Sequence, residues 1–436
     1  MGGVVATDVD IEIVQGRFSS VVSGARPDPD ATRLRGLTMP GMANAHSHAF
    51  HRALRSRTQA ERGTFWTWRD VMYRAAARLT PDNYHRLARA TFAEMAMAGI
   101  TAVGEFHYVH HQPDGTAYGD PNEMGAALLA AAREAGIRIT LLDTIYLHGG
   151  LSEAGHTPAE GAQRRYCDRS ADAWAARVDD LRPHAGQLIG AAIHSVRAVD
   201  PEAMAQVAQW SAVNAAPLHA HVSEQRGENE QCIAVHGVTP IHLCDRASVL
   251  SSRFTAVHAT HPTSRDVGLL RARHATVCMC PTTERDLGDG VGPTRDFSAN
   301  GIPLALGSDS HAVIDMFEES RALELDERLL SEERGIHDAL ELATMATANG
   351  QSSIGWHDAG VIEVGARADM VTVALDSVRT AGAGDADPVS TAVFAASAAD
   401  VRSVMVDGRL VVNDHRHLSV DTAAELESAI TDLLED

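Results

Sequence analysis

The stretch Met39-Pro-Gly-Met-Ala-Asn-Ala-His-Ser-His-Ala-Phe50 frames the reading of this chain. A Pro-Gly turn leads into a short apolar run, and the run ends in His46-Ser-His48. Side chains alternate along a strand, so histidines two positions apart share a face and can reach one metal ion from the strand's end. Taken alone, the pair equally describes two polar residues in a loop. The choice depends on what stands at the ends of the later strands.

Working outward, strand-like apolar runs recur at 37–45, 102–108, 137–145, 188–193, 217–222, 254–259, 276–279 and 303–307. Between them lie segments with apolar residues at helical spacing, at 84–98, 124–135, 171–181, 201–214 and 336–348. Eight such units in series predict an α/β fold, a (β/α)8 TIM-like barrel whose chemistry gathers at the C-terminal ends of the strands. The first 37 residues and the stretch after Gly350 differ in texture, reading as short strands and turns. They predict a small β-sandwich domain formed by both chain termini, with the barrel inserted between them. The expected division is 1–37 and 356–436 for the small β domain and 38–355 for the barrel, with a short acidic helix, Thr422–Leu434, near the end.

Polar residues gather where the predicted strands stop. The first ends in His46 and His48, the second in Glu105-Phe-His-Tyr108, and the fourth in His194-Ser-Val-Arg197. The fifth carries His219-Ala-His221-Val-Ser-Glu224, the sixth His258-Ala-Thr-His261, and the eighth Gly307-Ser-Asp-Ser-His311. Burying so many polar groups at one end of a barrel is costly unless they serve each other, and a shared site explains them together. Imidazole and carboxylate ligands suit Zn²⁺ with an open position for water. His46, His48, Asp309 and one of His219 and His221 would complete it. Spacing alone does not choose between the last two, because both lie on one face of the strand.

Composition narrows the class. The net charge of −21 repels phosphate backbones and argues against nucleic-acid binding. No apolar run approaches the roughly 20 residues of a membrane span, and no basic segment followed by an apolar core marks the N-terminus for secretion. The five cysteines are an odd, sparse set that suits a reduced, cytoplasmic protein. Cys278-Met-Cys280 sits in a strand-like run and reads as buried thiols rather than a metal pair. All 37 basic side chains are arginine. That excludes a lysine Schiff base, a Walker-type phosphate loop and a metal site bridged by a modified lysine. No Gly-x-Ser-x-Gly elbow supports a serine hydrolase.

With these stretches in place, the chain resembles the amidohydrolase superfamily of metal-dependent hydrolases, and more closely its formimidoylglutamate deiminase family. The first and last strand ends carry the wider resemblance. Phe65-Trp-Thr-Trp-Arg69 and Glu105-Phe-His-Tyr-Val-His-His111 are more particular to the narrower one, and Cys280-Pro-Thr-Thr-Glu-Arg-Asp-Leu-Gly-Asp-Gly290 is a further stretch of the resemblance, read as a polar, glycine-containing loop over 282–290 that helps close the site. The resemblance implies a His-x-x-Glu pattern on the fifth strand, which makes His221 the third imidazole ligand and Glu224 an acid–base group. It implies one Zn²⁺ per chain, because two-metal relatives use a carboxylated lysine. It implies Arg69, Tyr108, His194 and Arg197 as substrate contacts. His51 stands where the family often has glutamine, which leaves room for a related formimino acid. The implied reaction is hydrolysis of N-formimino-L-glutamate to N-formyl-L-glutamate and ammonia, with metal-bound hydroxide attacking the formimino carbon. Asp309 and His258 would take up and orient the proton, and Glu224 would deliver one to the imino nitrogen. Two substrate carboxylates ask for cationic, preferably bidentate partners, which the arginines supply. The resemblance further implies a homodimer. An aminohydrolase of a purine, pyrimidine or triazine ring shares the metal residues and is the alternative. A catalytically inactive barrel is the remote one, since such a scaffold would be expected to lose ligands or the acid.

Overall fold

The computed structural model describes residues 5–26, 28–59, 65–383 and 387–434. The side chains of 65–67, which include Trp66 of the stretch Phe65-Trp-Thr-Trp-Arg69, lie outside the described ones. Eight parallel strands form the centre: β1 (Met42–Ser47), β2 (Ile100–His107), β3 (Arg138–Ile145), β4 (Gln187–Ile193), β5 (Leu218–Val222), β6 (Phe254–His258), β7 (Thr276–Met279) and β8 (Leu304–Leu306). They are hydrogen-bonded in chain order, with helices in the connections. Almost every strand residue is buried on both faces, which is why the runs read as continuous apolar segments rather than alternating ones.

The ring closes between β1 and the residues after β8. The Asp309 N–H donates to the His46 carbonyl at 3.0 Å, and the His48 N–H donates to the Asp309 carbonyl at 3.2 Å. Gly307 permits this approach: a Cβ there would lie 2.7 Å from the His46 Cβ and 2.8 Å from its carbonyl oxygen. The seam of the barrel therefore runs through the residues picked out as metal ligands.

The small domain joins both ends of the chain, as expected. A five-stranded antiparallel sheet pairs Leu37–Pro40 with Met370–Val373, followed by Val401–Val406, Arg409–Asn413 and Arg416–His417. The hairpin Asp10–Val14/Arg17–Val22 packs on it through a cluster of Phe18, Ala368 and Met370. One expectation needs correction. The run 37–45 is not a single barrel strand: it breaks at Gly41, with Leu37–Pro40 in the small sheet and Met42–Ser47 in the barrel. At that break a Cβ would come within 2.4 Å of the Thr101 side chain, so only glycine lets the chain pass. Buried Arg138 locks the two parts together by pairing with Asp369 and lying over the Trp356 ring.

Helix ends follow local chemistry. Thr80 forms a capping box with Asn83 ahead of helix Pro81–Met97, and Asp200 caps Pro201–Val213. The helix expected at 336–348 begins at Ala339 and passes into a π-turn at Met345–Asn349. The terminal helix Thr422–Leu434 packs against Pro81–Met97. No helix among the described residues is long and apolar enough to cross a membrane.

Candidate active site

The C-terminal ends of the strands bring together His46, His48, His221 and Asp309, all buried. The His46 Nε2 and the His48 Nε2 each lie 3.3 Å from the Asp309 Oδ1, and the His221 Nε2 lies 3.1 Å from the His46 Nε2. Ligand bonds of about 2.0–2.1 Å in a tetrahedral site put neighbouring ligand atoms roughly 3.3 Å apart, so the spacing fits one metal ion. The tautomers fit as well. The His48 Nδ1 hydrogen-bonds to the Phe106 carbonyl and the His221 Nδ1 to the His194 carbonyl, both at 2.9 Å, which leaves each Nε2 as a lone pair facing inward. Burial depresses the pKa of all three imidazoles, His46 to about 3 against the pull of Asp309, and so keeps them in the ligand form. Burial alone would push the Asp309 carboxyl up, but the imidazoles around it hold it well below the usual carboxylate range.

His219 is resolved from His221 by depth rather than direction. Its Nε2 hydrogen-bonds to the Ser353 carbonyl at 2.9 Å, away from the ligand cluster. Behind the ligands, Glu105 accepts from the Ser47 hydroxyl at 2.5 Å and from the Ala49 N–H at 2.7 Å, clamping the His46-Ser-His48 turn. Burial pushes its carboxyl up to about 8. Asn44 binds Ser308 through both its amide atoms, and His311 bridges Ser308 and Ser47. Ser223, His258, Ala259, Asp309 and His311 all have positive φ. Such backbone is uncommon for residues with a side chain, and two of the five, His258 and Asp309, line the cavity above the ligands.

Above the ligands lies a cavity of about 190 Å³. His48, His51, Arg69, Tyr108, His194, Arg197, His221, Glu224, His258 and Asp309 all line it. The Nε2 of His258 is 4.0 Å from the Glu224 Oε1 and 3.9 Å from the Asp309 Oδ2, so the three groups surround one position. The other Glu224 oxygen lies 3.9 Å from the Arg197 Nη2. Arg69 lies over the Tyr73 ring at 5.5 Å. The His51 Nε2 is 3.0 Å from the Tyr108 hydroxyl.

Sequence reasoning passed over Tyr73, Tyr146, Glu228 and Glu284. Tyr73 stands four residues after Arg69 on helix Phe65–Arg78, a spacing that would have flagged it. Glu228 accepts the Glu224 N–H across a helix start, and Glu284 sits in the expected loop 282–290, which instead begins with helix Pro281–Leu287. A second buried grouping, His107, His110 and Asp143, does not suit a cation. Both Asp143 oxygens already accept from the Arg177 guanidinium at 2.8 Å, and Trp174 donates to one of them.

Burial also keeps His110 and His219 neutral, each with its pKa lowered from 6.5 to about 4. An unfolded chain would protonate both near pH 6.5, so below that value the unfolded state binds more protons and stability falls with pH. This contribution is present above about pH 6.5 and is lost as pH drops through about 4. The urea midpoint of metal-loaded protein is expected to decline steadily over that window, and a flat midpoint would contradict the neutral assignment.

A parallel barrel with three imidazoles and a carboxylate at its mouth, and acid–base groups above them, defines a metal-dependent hydrolase. The chain belongs to the amidohydrolase family, whose sequence profile matches residues 37–411. The narrower resemblance is also borne out. The chain is 37% identical over 427 residues to the formimidoylglutamate deiminase of Pseudomonas aeruginosa, covering 93% of this chain and 91% of the relative. A 5-methylthioadenosine/S-adenosylhomocysteine deaminase of Natronomonas pharaonis is 28% identical, over 89% of this chain and 84% of its own. Among solved structures, an amidohydrolase from Brucella melitensis superposes with a TM-score of 0.90 at 32% identity, over 98% of this chain and 96% of its own.

Proposed function

We propose that this enzyme hydrolyses N-formimino-L-glutamate to N-formyl-L-glutamate and ammonia, with one zinc ion per chain held by His46, His48, His221 and Asp309. The observation that carries the reading is the cavity: two guanidiniums, Arg69 and Arg197, open on the same small space as the acid–base groups. At about 190 Å³ it is smaller than the roughly 300–1,000 Å³ of pockets for drug-sized ligands, which favours a short acyclic dicarboxylate over a nucleoside. The relative from Pseudomonas aeruginosa points the same way.

A bound divalent ion supplies Lewis acidity and brings water to a reactive pKa of ~7. The chain's own residues do the rest. Arg69 and Arg197 hold the carboxylates and aim the formimino carbon at the ligand cluster. His258 and Asp309, on either side of the attacking position, take its proton. Glu224 protonates the imino nitrogen and then assists loss of ammonia. Tyr108 is braced by His51, and the His194 ring packs against the Tyr146 ring, together walling the space.

The test is ammonia release from formimino-glutamate, formimino-aspartate, guanine, cytosine and S-adenosylhomocysteine. Release from a ring and none from formimino-glutamate would overturn the reading in favour of a ring deaminase, the activity named for the Natronomonas pharaonis relative. Arg197→Ala is expected to raise KM by roughly 10- to 100-fold through loss of a charge-assisted contact of about 1.5–3 kcal/mol, with a smaller change in kcat. An unchanged KM would remove Arg197 from carboxylate binding. The same reading carries a homodimer, checked by light scattering.

A further inference from the structure

Helix Pro281–Leu287 follows β7 directly and sits beside the site. Polar contacts pin its first turn from outside. The Thr282 N–H donates to Glu319 at 3.0 Å, and the Thr283 hydroxyl lies 3.1 Å from the Ser310 hydroxyl and accepts from the Ser310 N–H, also at 3.1 Å. The next residue, Glu284, is buried, and its Oε1 lies 3.3 Å from the Nδ1 of His258. The same oxygen accepts the Cys280 N–H at 2.9 Å. Nothing in the reaction derived above uses this carboxylate.

We infer that Glu284 is a positioning residue: it takes the Nδ1–H of His258 and so holds the ring's Nε2 toward Asp309 and Glu224. The inference rests on the hydrolytic reading of the site and deepens it. His258 needs such a partner for two reasons. Its backbone is left-handed, with φ +68, and Ala259 after it has φ +46, so the regular strand geometry no longer fixes where the ring points. A neutral imidazole also carries its proton on either nitrogen, and only the Nδ1–H form leaves Nε2 free to accept a proton at the reacting position. In the protonated ring Nδ1–H is still present, so the contact with Glu284 serves both states of a proton-transfer cycle. The competing account is that Glu284 merely receives the Cys280 N–H at the start of its own helix. That role would affect stability and leave the imidazole tautomer alone.

The experiment uses metal-loaded protein with ¹⁵N-labelled histidine, the His258 ring being assigned through His258→Gln. In the unaltered protein the His258 Nδ1 is expected to be protonated at neutral pH; a deprotonated Nδ1 overturns the inference whatever the variants do. Glu284→Leu is expected to lower kcat by about 10- to 100-fold, in line with loss of an orienting partner, with KM within about twofold and metal content unchanged. Its His258 Nδ1 signal moves toward a tautomer mixture. Glu284→Gln keeps an accepting oxygen and is expected to restore the tautomer and most of kcat. A Glu284→Leu variant with unchanged kcat or an unchanged Nδ1 signal overturns the inference. The ring signals need no substrate, so their agreement with failure on formimino-glutamate would discard the substrate and keep Glu284.

Discussion

Glu224→Gln is expected to abolish nearly all turnover, by about 10²–10⁴-fold, while the protein keeps its metal. The glutamine is almost isosteric and still accepts and donates hydrogen bonds. What it loses is the ability to carry a proton between the attacking position and the leaving nitrogen. Glu224 Oε1 is 4.0 Å from His258 Nε2, on the open side of the ligand cluster, and its backbone N–H is held by Glu228 at 3.2 Å. The substitution therefore leaves the turn and the four ligands in place. The measurement is kcat together with metal content by atomic emission on the same sample. Near-normal turnover would remove Glu224 from proton transfer, and loss of metal would show that it acts on the ligand cluster instead.

Stripping the metal is the second large effect. Activity is expected to disappear with chelator and to return with one equivalent of zinc per chain. The stripped protein also becomes less stable, because four buried groups with converging lone pairs lose their partner. With free metal about 1,000-fold above its dissociation constant, binding contributes about 4 kcal/mol. At ~2 cal/mol/K per residue of unfolding entropy, that is a shift of about 4 °C in Tm. A requirement for two equivalents would overturn the single-metal site, and full activity without metal would overturn the hydrolytic reading altogether.

Much of this was legible because barrel strands write a strong signature. Runs such as 254–258 are buried on both faces and mostly apolar, and the polar residues of the site gather toward the strands' C-terminal ends. Those residues, His46, His48, His221, Glu224, His258 and Asp309, could be collected from the sequence alone. The break at Gly41 was not visible, since Leu37–Pro40 and Met42–Ser47 are both apolar and differ only in which sheet they join. Glu284 was hidden for a different reason. In a polar segment, one carboxylate that faces an imidazole reads the same as its solvated neighbours Arg285 and Asp286, and only burial separates them. His219 against His221 could not be chosen by spacing, because alternation fixes a side chain's direction and says nothing of its height along the barrel axis.

The seam through the ligand cluster also orders events in time. Asn44 and Ser308, hydrogen-bonded behind the metal residues, are 264 positions apart. Closing so long a loop costs chain entropy before the contact returns anything, so contacts of such separation are intrinsically slow to form. A nascent chain that has exposed His46 and His48 still lacks Asp309 and the neighbour that braces β1, so no finished cage exists until the eighth strand arrives. Under the proposed single-metal reading, the four-ligand cluster is therefore complete only once the barrel has closed, which ties retention of the ion to the last strand of the ring.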